Sequence, residues 1–224
     1  MSKPSGRKNE IIGEAHHQGI LIESREIFLT GYEGDVSEEP GVDYRMATRF
    51  ERNMRLVETL NPGHVLVHMH SVGGEWADGI SIYDTIKAYP YNVTILAYAH
   101  ARSMTSIILQ AADLRVMMPH SYFMIHYGSL YMDCNEISAY SLIEFNQVCD
   151  QQMLDIYAER CNNGQYFQEK GIPEAKIRKF LDSKMREKQE WYLTAQDAVY
   201  YGFADAVLGQ ENYENIAALL QSGV

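Results

Sequence analysis

The chain has 224 residues, 46% hydrophobic and 22% charged, with only 6 Pro and 16 Gly, which excludes a disordered, collagen-like or low-complexity polymer. Its formal charge of −11 (19 basic against 30 acidic residues) offers no electrostatic footprint for nucleic acid or an anionic membrane surface. No stretch approaches the ~18 uninterrupted apolar residues of a spanning helix.

Residues 1–18, charged but without an apolar run, read as a flexible N-terminal tail and not a secretory signal. Residues 20–30 (ILIESREIFLT) alternate as a strand that ends at Gly31, and 32–43 form an acidic loop. Met46, Phe50, Met54 and Val57 recur at helical spacing, so 44–60 is expected to be a helix closed by Asn61-Pro62-Gly63. A strand at 64–71 runs into Gly73-Gly74, a helix follows over 75–89, and 92–99 is a second buried strand. The apolar run 103–112 reads as a short buried helix, with strands at 114–119 and 122–128. A long helix spans 136–160 with Phe145, Val148, Cys149, Met153 and Ile156 on one stripe. Another helix lies near 174–188, then a short one at 194–202 and a closing strand. Strand and helix alternate from residue 20 to 128, which predicts an α/β fold with a mainly parallel sheet.

Cys134, Cys149 and Cys161, irregularly spaced, form no metal pattern and suit free thiols in a reducing cytoplasm. The 16 Tyr against 7 Phe suit surfaces that are partly wet and partly contacted. His68 and His70 emerge on one face of a strand, as metal ligands do, but a third ligand is not evident.

Three segments offer chemistry. Ser71-Val72-Gly73-Gly74 lies where a strand gives way to a helix, so its N–H groups could face an oxyanion or a phosphate; an ordinary glycine turn is the alternative. Ser103 stands at the start of a buried helix. It is either an N-cap or a hydroxyl in a positive helix-end potential, with the Met104 N–H beside it. His126 lies inside an apolar strand, where it is either a satisfied core histidine or a general base whose hydroxyl partner would be Ser103.

In this order the segments resemble the proteolytic subunit of the Clp protease, the ClpP family. The resemblance rests on His70-Ser71-Val72-Gly73-Gly74, Ile82-Tyr83-Asp84-Thr85, Arg102-Ser103-Met104 and Met124-Ile125-His126. It is supported by Ile27 to Gly31 and by Leu193 to Asp205. It implies the spiral of β-β-α units shared with crotonases, as a single peptidase domain over 19–210 with a C-terminal segment at 211–224. A handle helix would protrude over about 130–162, and 161–189 would be an extension beyond the family's core.

The resemblance further implies a serine endopeptidase acting on unfolded polypeptides through an acyl-enzyme, with no cofactor and no metal. Ser103 would be nucleophile, His126 base, and the N–H groups of Gly73 and Met104 the oxyanion hole. Gly74, Tyr127 and Gly128 would line the substrate. The acid falls on Glu190 in an ungapped alignment, with Asp182 as competitor. The subunits would form a homo-oligomer, a heptameric ring in one or two layers, in the cytoplasm and with an AAA+ unfoldase partner. Tyr127, Tyr131, Tyr140 and Tyr157 would lie where ring contacts form.

Val72 for the family's Pro and Tyr127-Gly128 for its Gln-Pro mark a divergent member, with a phage origin among the alternatives. Other readings are a catalytically silent ring subunit, a capsid- or scaffold-processing protease of the same fold, and an acyl-CoA enzyme of the crotonase kind.

Overall fold

The computed structural model describes residues 4–31 and 41–221; most of the expected acidic loop, 32–40, lies outside them. The first element lies in the expected N-terminal tail. Residues 4–18 are wound into α1 (Pro4–Gly13) and a π-helical turn (Glu14–Gln18) that ends at Gly19. No apolar stripe announces this helix. The expected strand 20–30 is also two strands, β1 (Ile20–Leu21) and β2 (Glu26–Thr30), paired antiparallel around a turn. Arg25 pins that turn by donating from Nε to the His64 carbonyl at 2.9 Å and from Nη1 to Asn61 at 3.2 Å.

Helix α2 (Tyr44–Leu60) has the expected bounds. The Asp43 carboxylate accepts from the Met46 N–H at 2.9 Å, an N-cap, and Met46, Phe50, Met54 and Val57 are buried as their spacing requires. The chain continues through β3 (Val65–His70), α3 (Trp76–Ala88), β4 (Val93–Ala97), β5 (His100–Arg102), α4 (Met104–Leu109), β6 (Leu114–Met117) and β7 (Tyr122–Ile125). Then come α5 (Glu136–Cys161), α6 (Gln165–Glu169), α7 (Glu174–Lys188), β8 (Trp191–Thr194), α8 (Ala195–Tyr201), β9 (Ala206–Val207) and α9 (Ile216–Gln221). The sequence pattern predicts no separate element at β5, β8, α6 or α9.

The main sheet has the order β1-β2-β3-β4-β6-β9 and is parallel from β2 to β9. In register across it, Ile27 faces Val67 and Val67 faces Ile95. Every residue of β4 is buried, the signature of a parallel sheet covered on both faces. On one face lie α2, α3 and α4; on the other, Leu66, Leu96 and Val116 pack with Leu219 of α9. A smaller sheet, β5-β7-β8, stands apart from the first. The chain places β4 in the main sheet, β5 in the small one, then α4; it repeats the move with β6, β7 and α5. This is the expected β-β-α spiral.

Helix α5 changes character half-way. Cys149, Met153, Leu154, Tyr157 and Cys161 are buried, whereas Ile137, Tyr140, Phe145 and Val148 are exposed. Tyr157, expected at a contact between subunits, instead lies in the core with its phenol 2.7 Å from the Ser106 hydroxyl. Residues 161–189 are equally integrated: Phe167, Ile177, Leu181 and Met185 are buried against the cluster that holds Trp191 and Phe203.

A buried cation braces the base of α4. Arg115 Nε donates to Asp205 at 3.0 Å, Nη2 to the other Asp205 oxygen at 2.5 Å, and Nη1 to Gln110 Oε1 and the Gly202 carbonyl. Gln110 in turn donates to the Ser106 carbonyl at 2.9 Å. Removing Asp205 leaves Arg115, 5% exposed, as an uncompensated buried charge. Asp205→Ala is expected to lower unfolding free energy by about 3 kcal/mol, read from a denaturant midpoint.

Candidate active site

Four segments from both sheets converge. Strand β3 ends at His70 and Ser71-Val72-Gly73-Gly74 carries the chain to α3. Gly73 has φ +99°, and a Cβ there would stand 2.6 Å from Ser103 Cβ, 2.8 Å from the Arg102 carbonyl oxygen and 2.9 Å from Met104 N. Only a glycine fits so close to the second segment. Gly74 is locked beside it by a parallel bridge to Val42, with the Val42 N–H donating to the Gly73 carbonyl at 2.6 Å. Among the described residues, neither the Gly73 N–H nor the Met104 N–H has an acceptor. These donors lie side by side where β3 and α4 meet, an arrangement suited to an anionic oxygen.

The second segment is the β5–α4 turn. Ser103 sits at φ +52°, ψ −130°, a strained conformation for a residue with a side chain. Its hydroxyl does not cap α4. The turn is held from its backbone instead: the Ser103 N–H donates to the Met124 carbonyl at 3.0 Å, and the Arg102 N–H to the Thr105 hydroxyl at 3.0 Å. The Thr105 hydroxyl donates toward the Arg102 and Ser71 carbonyls at 2.8 and 3.0 Å, which ties this turn to the glycine segment.

The third segment follows β7, which ends at Ile125, so His126 lies just past the strand and not inside it as expected. His126 Nε2 lies 2.9 Å from Ser103 Oγ. Burial pushes the imidazole below its ordinary range, the Glu190 carboxylate opposes this, and Arg102 adds to the lowering. His126 is therefore disposed to be neutral, as an acceptor for a hydroxyl proton must be.

The fourth segment opens β8. Glu190 Oε1 lies 4.0 Å from His126 Nδ1, with 52% of the glutamate side chain exposed. Asp182 is engaged elsewhere. It accepts from the Tyr127 phenol and from Arg186 Nε at 2.9 Å, and the Arg186 guanidinium lies 5.1 Å from the centre of the Tyr127 ring. The geometry thus brings Gly73, Ser103, Met104, His126 and Glu190 together and leaves Asp182 outside.

Two clefts flank the strand extension Tyr127–Ser129. One, about 510 Å³, opens beside Ser103 and is lined by Gly74, Trp76, Met104, Ile107, Phe145 and Met153, with Tyr127 and Gly128 at its edge. The other, about 800 Å³, is polar and holds Asp150, Arg186, Glu190 and Tyr192. Gly79 lets α4 approach: a Cβ there would be 2.1 Å from Met104 Cγ.

The sequence pattern assigns no role to Arg102, named only beside Ser103, and does not single out Thr105 or Tyr192. A threonine two residues after a candidate nucleophile, in the first helical turn, was the only available signal. His68 is no open ligand: its Nδ1 lies 2.8 Å from the Tyr98 hydroxyl and its Nε2 2.8 Å from Glu26. Among the described residues no group of three or more His, Cys, Asp or Glu is arranged to hold a metal ion, and no helix is long and apolar enough to cross a membrane.

Residues 15–211 match the family model described as Clp protease. The chain is 25% identical over 176 residues to the ATP-dependent Clp protease proteolytic subunit of Deinococcus radiodurans, a match covering 75% of this chain and 77% of that protein.

Proposed function

The chain belongs to the Clp protease family, and from that premise we propose that it is a serine endopeptidase whose machinery is Ser103, His126, Glu190 and the N–H groups of Gly73 and Met104. The observation that carries this reading is the 2.9 Å contact between Ser103 Oγ and His126 Nε2, beside two N–H groups without acceptors. His126 Nε2 removes the hydroxyl proton as Oγ attacks the scissile carbonyl carbon. The carbonyl oxygen, now an anion, accepts from the Gly73 and Met104 N–H groups. His126 returns the proton to the leaving amine, and a water activated the same way releases the acid product and restores Ser103. Glu190 favours the transient imidazolium and the tautomer with hydrogen on Nδ1. The test is cleavage of a short fluorogenic peptide by the purified chain; no turnover from correctly assembled protein would defeat the reading.

The pH profile follows from the base. kcat/KM rises as His126 loses its proton, and burial holds its pKa below the ordinary 6.5, so the acid limb falls below that pH. Glu190→Gln removes the one influence that raises it. The limb then moves to still lower pH while the plateau drops by about 10- to 10²-fold, measured as kcat/KM from pH 4.5 to 8.

The substrate in this reading is an unfolded polypeptide, with an apolar side chain seated in the cleft of Trp76, Ile107 and Met153. The working form is a cytoplasmic homo-oligomeric ring, heptameric and in one or two layers, fed by an AAA+ unfoldase. The exposed Ile137, Tyr140, Phe145 and Val148 of α5, with Tyr131 before it, support assembly through the handle.

A further inference from the structure

We propose that Tyr192 is a positioning residue for the acid of this site: its phenol, together with the turn at Gln189, keeps the Glu190 carboxylate aimed at His126. The inference rests on the peptidase reading of the site and adds to it a residue that neither the motifs nor the sequence pattern marked.

A half-exposed glutamate on a long arm has no inherent reason to face a histidine. Two features supply one. The first is backbone: Gln189 has φ +64° and ψ −60°, and the Glu190 N–H donates to the Lys188 carbonyl at 2.8 Å. That is the positive-φ form of the γ-turn, rare and strained for a residue with a side chain. It reverses the chain between α7 and β8 and delivers Glu190 beside the end of β7.

The second is side chain. The Tyr192 hydroxyl donates to Glu190 Oε2 at 2.9 Å, leaving Oε1 as the oxygen that faces His126 Nδ1. The Glu190 carboxylate pushes the phenol above its ordinary range, so it stays a donor throughout the working pH. The phenol itself is held by the small sheet. Tyr192 lies opposite Met124 in the antiparallel β7–β8 pair, and its ring tilts against that of Tyr122 at 5.6 Å, a diagonal cross-strand contact. Tyr122 leans in turn on His100 at 5.4 Å. The strand that ends just before His126 therefore also carries the shelf under Tyr192, so base and acid share one frame.

Other charges face this cavity: Arg186 and Lys188 from α7 and Asp150 from α5, while Asp182 is held by Tyr127 and Arg186, and Arg102 of β5 acts on His126 by its charge. Arg186 and Lys188 would draw an untethered Glu190 away from His126. The phenol opposes that drift.

The test is Tyr192→Phe, which keeps the ring on Tyr122 and removes only the hydroxyl, read by peptide turnover and by a proton NMR titration of His126 that needs no turnover. The expected result is a kcat about 3- to 10-fold lower with KM unchanged, matching loss of one exposed hydrogen bond. The His126 titration moves to lower pH, because the carboxylate that raised it wanders. In a Glu190→Gln background the same change adds nothing. Unaltered kcat and unaltered titration would overturn the inference, as would a rise in both, which would make the phenol a competitor for the carboxylate. An inactive parent chain with a His126 titration that still responds to Tyr192→Phe would defeat the peptidase reading and leave this inference standing.

Discussion

Ser103→Ala is expected to reduce peptide turnover by about 10⁴-fold or more while leaving the fold and the assembly state unchanged. The reason is geometric. Ser103 Oγ lies 2.9 Å from His126 Nε2, the nitrogen that takes the proton in the proposed mechanism, and it does not cap α4. The turn around it is secured by backbone and by Thr105, none of which the substitution touches. A methyl group also suits the site, since the neighbouring residues Met104, Thr105 and Ser106 are buried. Near-UV circular dichroism and sedimentation velocity should match the parent, and only kcat/KM should collapse. A comparable loss of folded protein would instead make Ser103 a structural residue.

The second large effect belongs to Gly73. Alanine there must place a Cβ 2.6 Å from Ser103 Cβ and 2.9 Å from Met104 N, at φ +99°. Neither obstacle is the tip of a flexible side chain, so the β3–α3 connection has to withdraw from α4. In the proposed mechanism the two N–H groups would then no longer serve one oxygen. Loss of such a donor costs about 10²–10³ in kcat. Gly73→Ala is therefore expected to lose that much activity, with a stability loss of only about 1–3 kcal/mol from the backbone conformation. KM should move far less than kcat, since the donors act on charge that develops in the transition state. A variant with normal kcat would remove Gly73 from the machinery.

How far the sequence announced all this depends on where each residue gets its instructions. Helix α2 was legible to the residue because its information is local: Asp43 caps it, four apolar residues mark its face, and Asn61-Pro62-Gly63 stops it. Helix α7 was nearly as clear. Strands β5 and β8 were not, because three or four residues cannot show a period and their identity as strands comes from pairing with β7. The hairpin of β1 and β2 was hidden in the same way, since the turn depends on Arg25 reaching Asn61 and His64 across the fold. In α5 the helical period was right but could not tell a core face from an unpartnered one. Phe145 and Val148 are therefore exposed on the same stripe as buried Met153.

The site divides along the same line. Ser103 and His126 were marked by motif order. For the acid, an ungapped alignment favours Glu190 over Asp182; what spacing could not show is the reversal at Gln189 that sets Glu190 4.0 Å from His126 and the Tyr127 phenol that engages Asp182. Tyr192 was not marked, because nothing in a half-exposed tyrosine signals its neighbour, and Arg102 was quoted only as part of the serine motif, with no role of its own.

The central claim is that Ser103 is an activated nucleophile. The most direct measurement is covalent labelling of the purified chain with a fluorophosphonate, followed by intact-mass and peptide mapping. The account predicts one adduct per chain, on Ser103, formed faster as pH rises through the His126 titration and abolished in His126→Ala. An assembled, folded chain with no adduct on Ser103, or with labelling indifferent to His126, would contradict it.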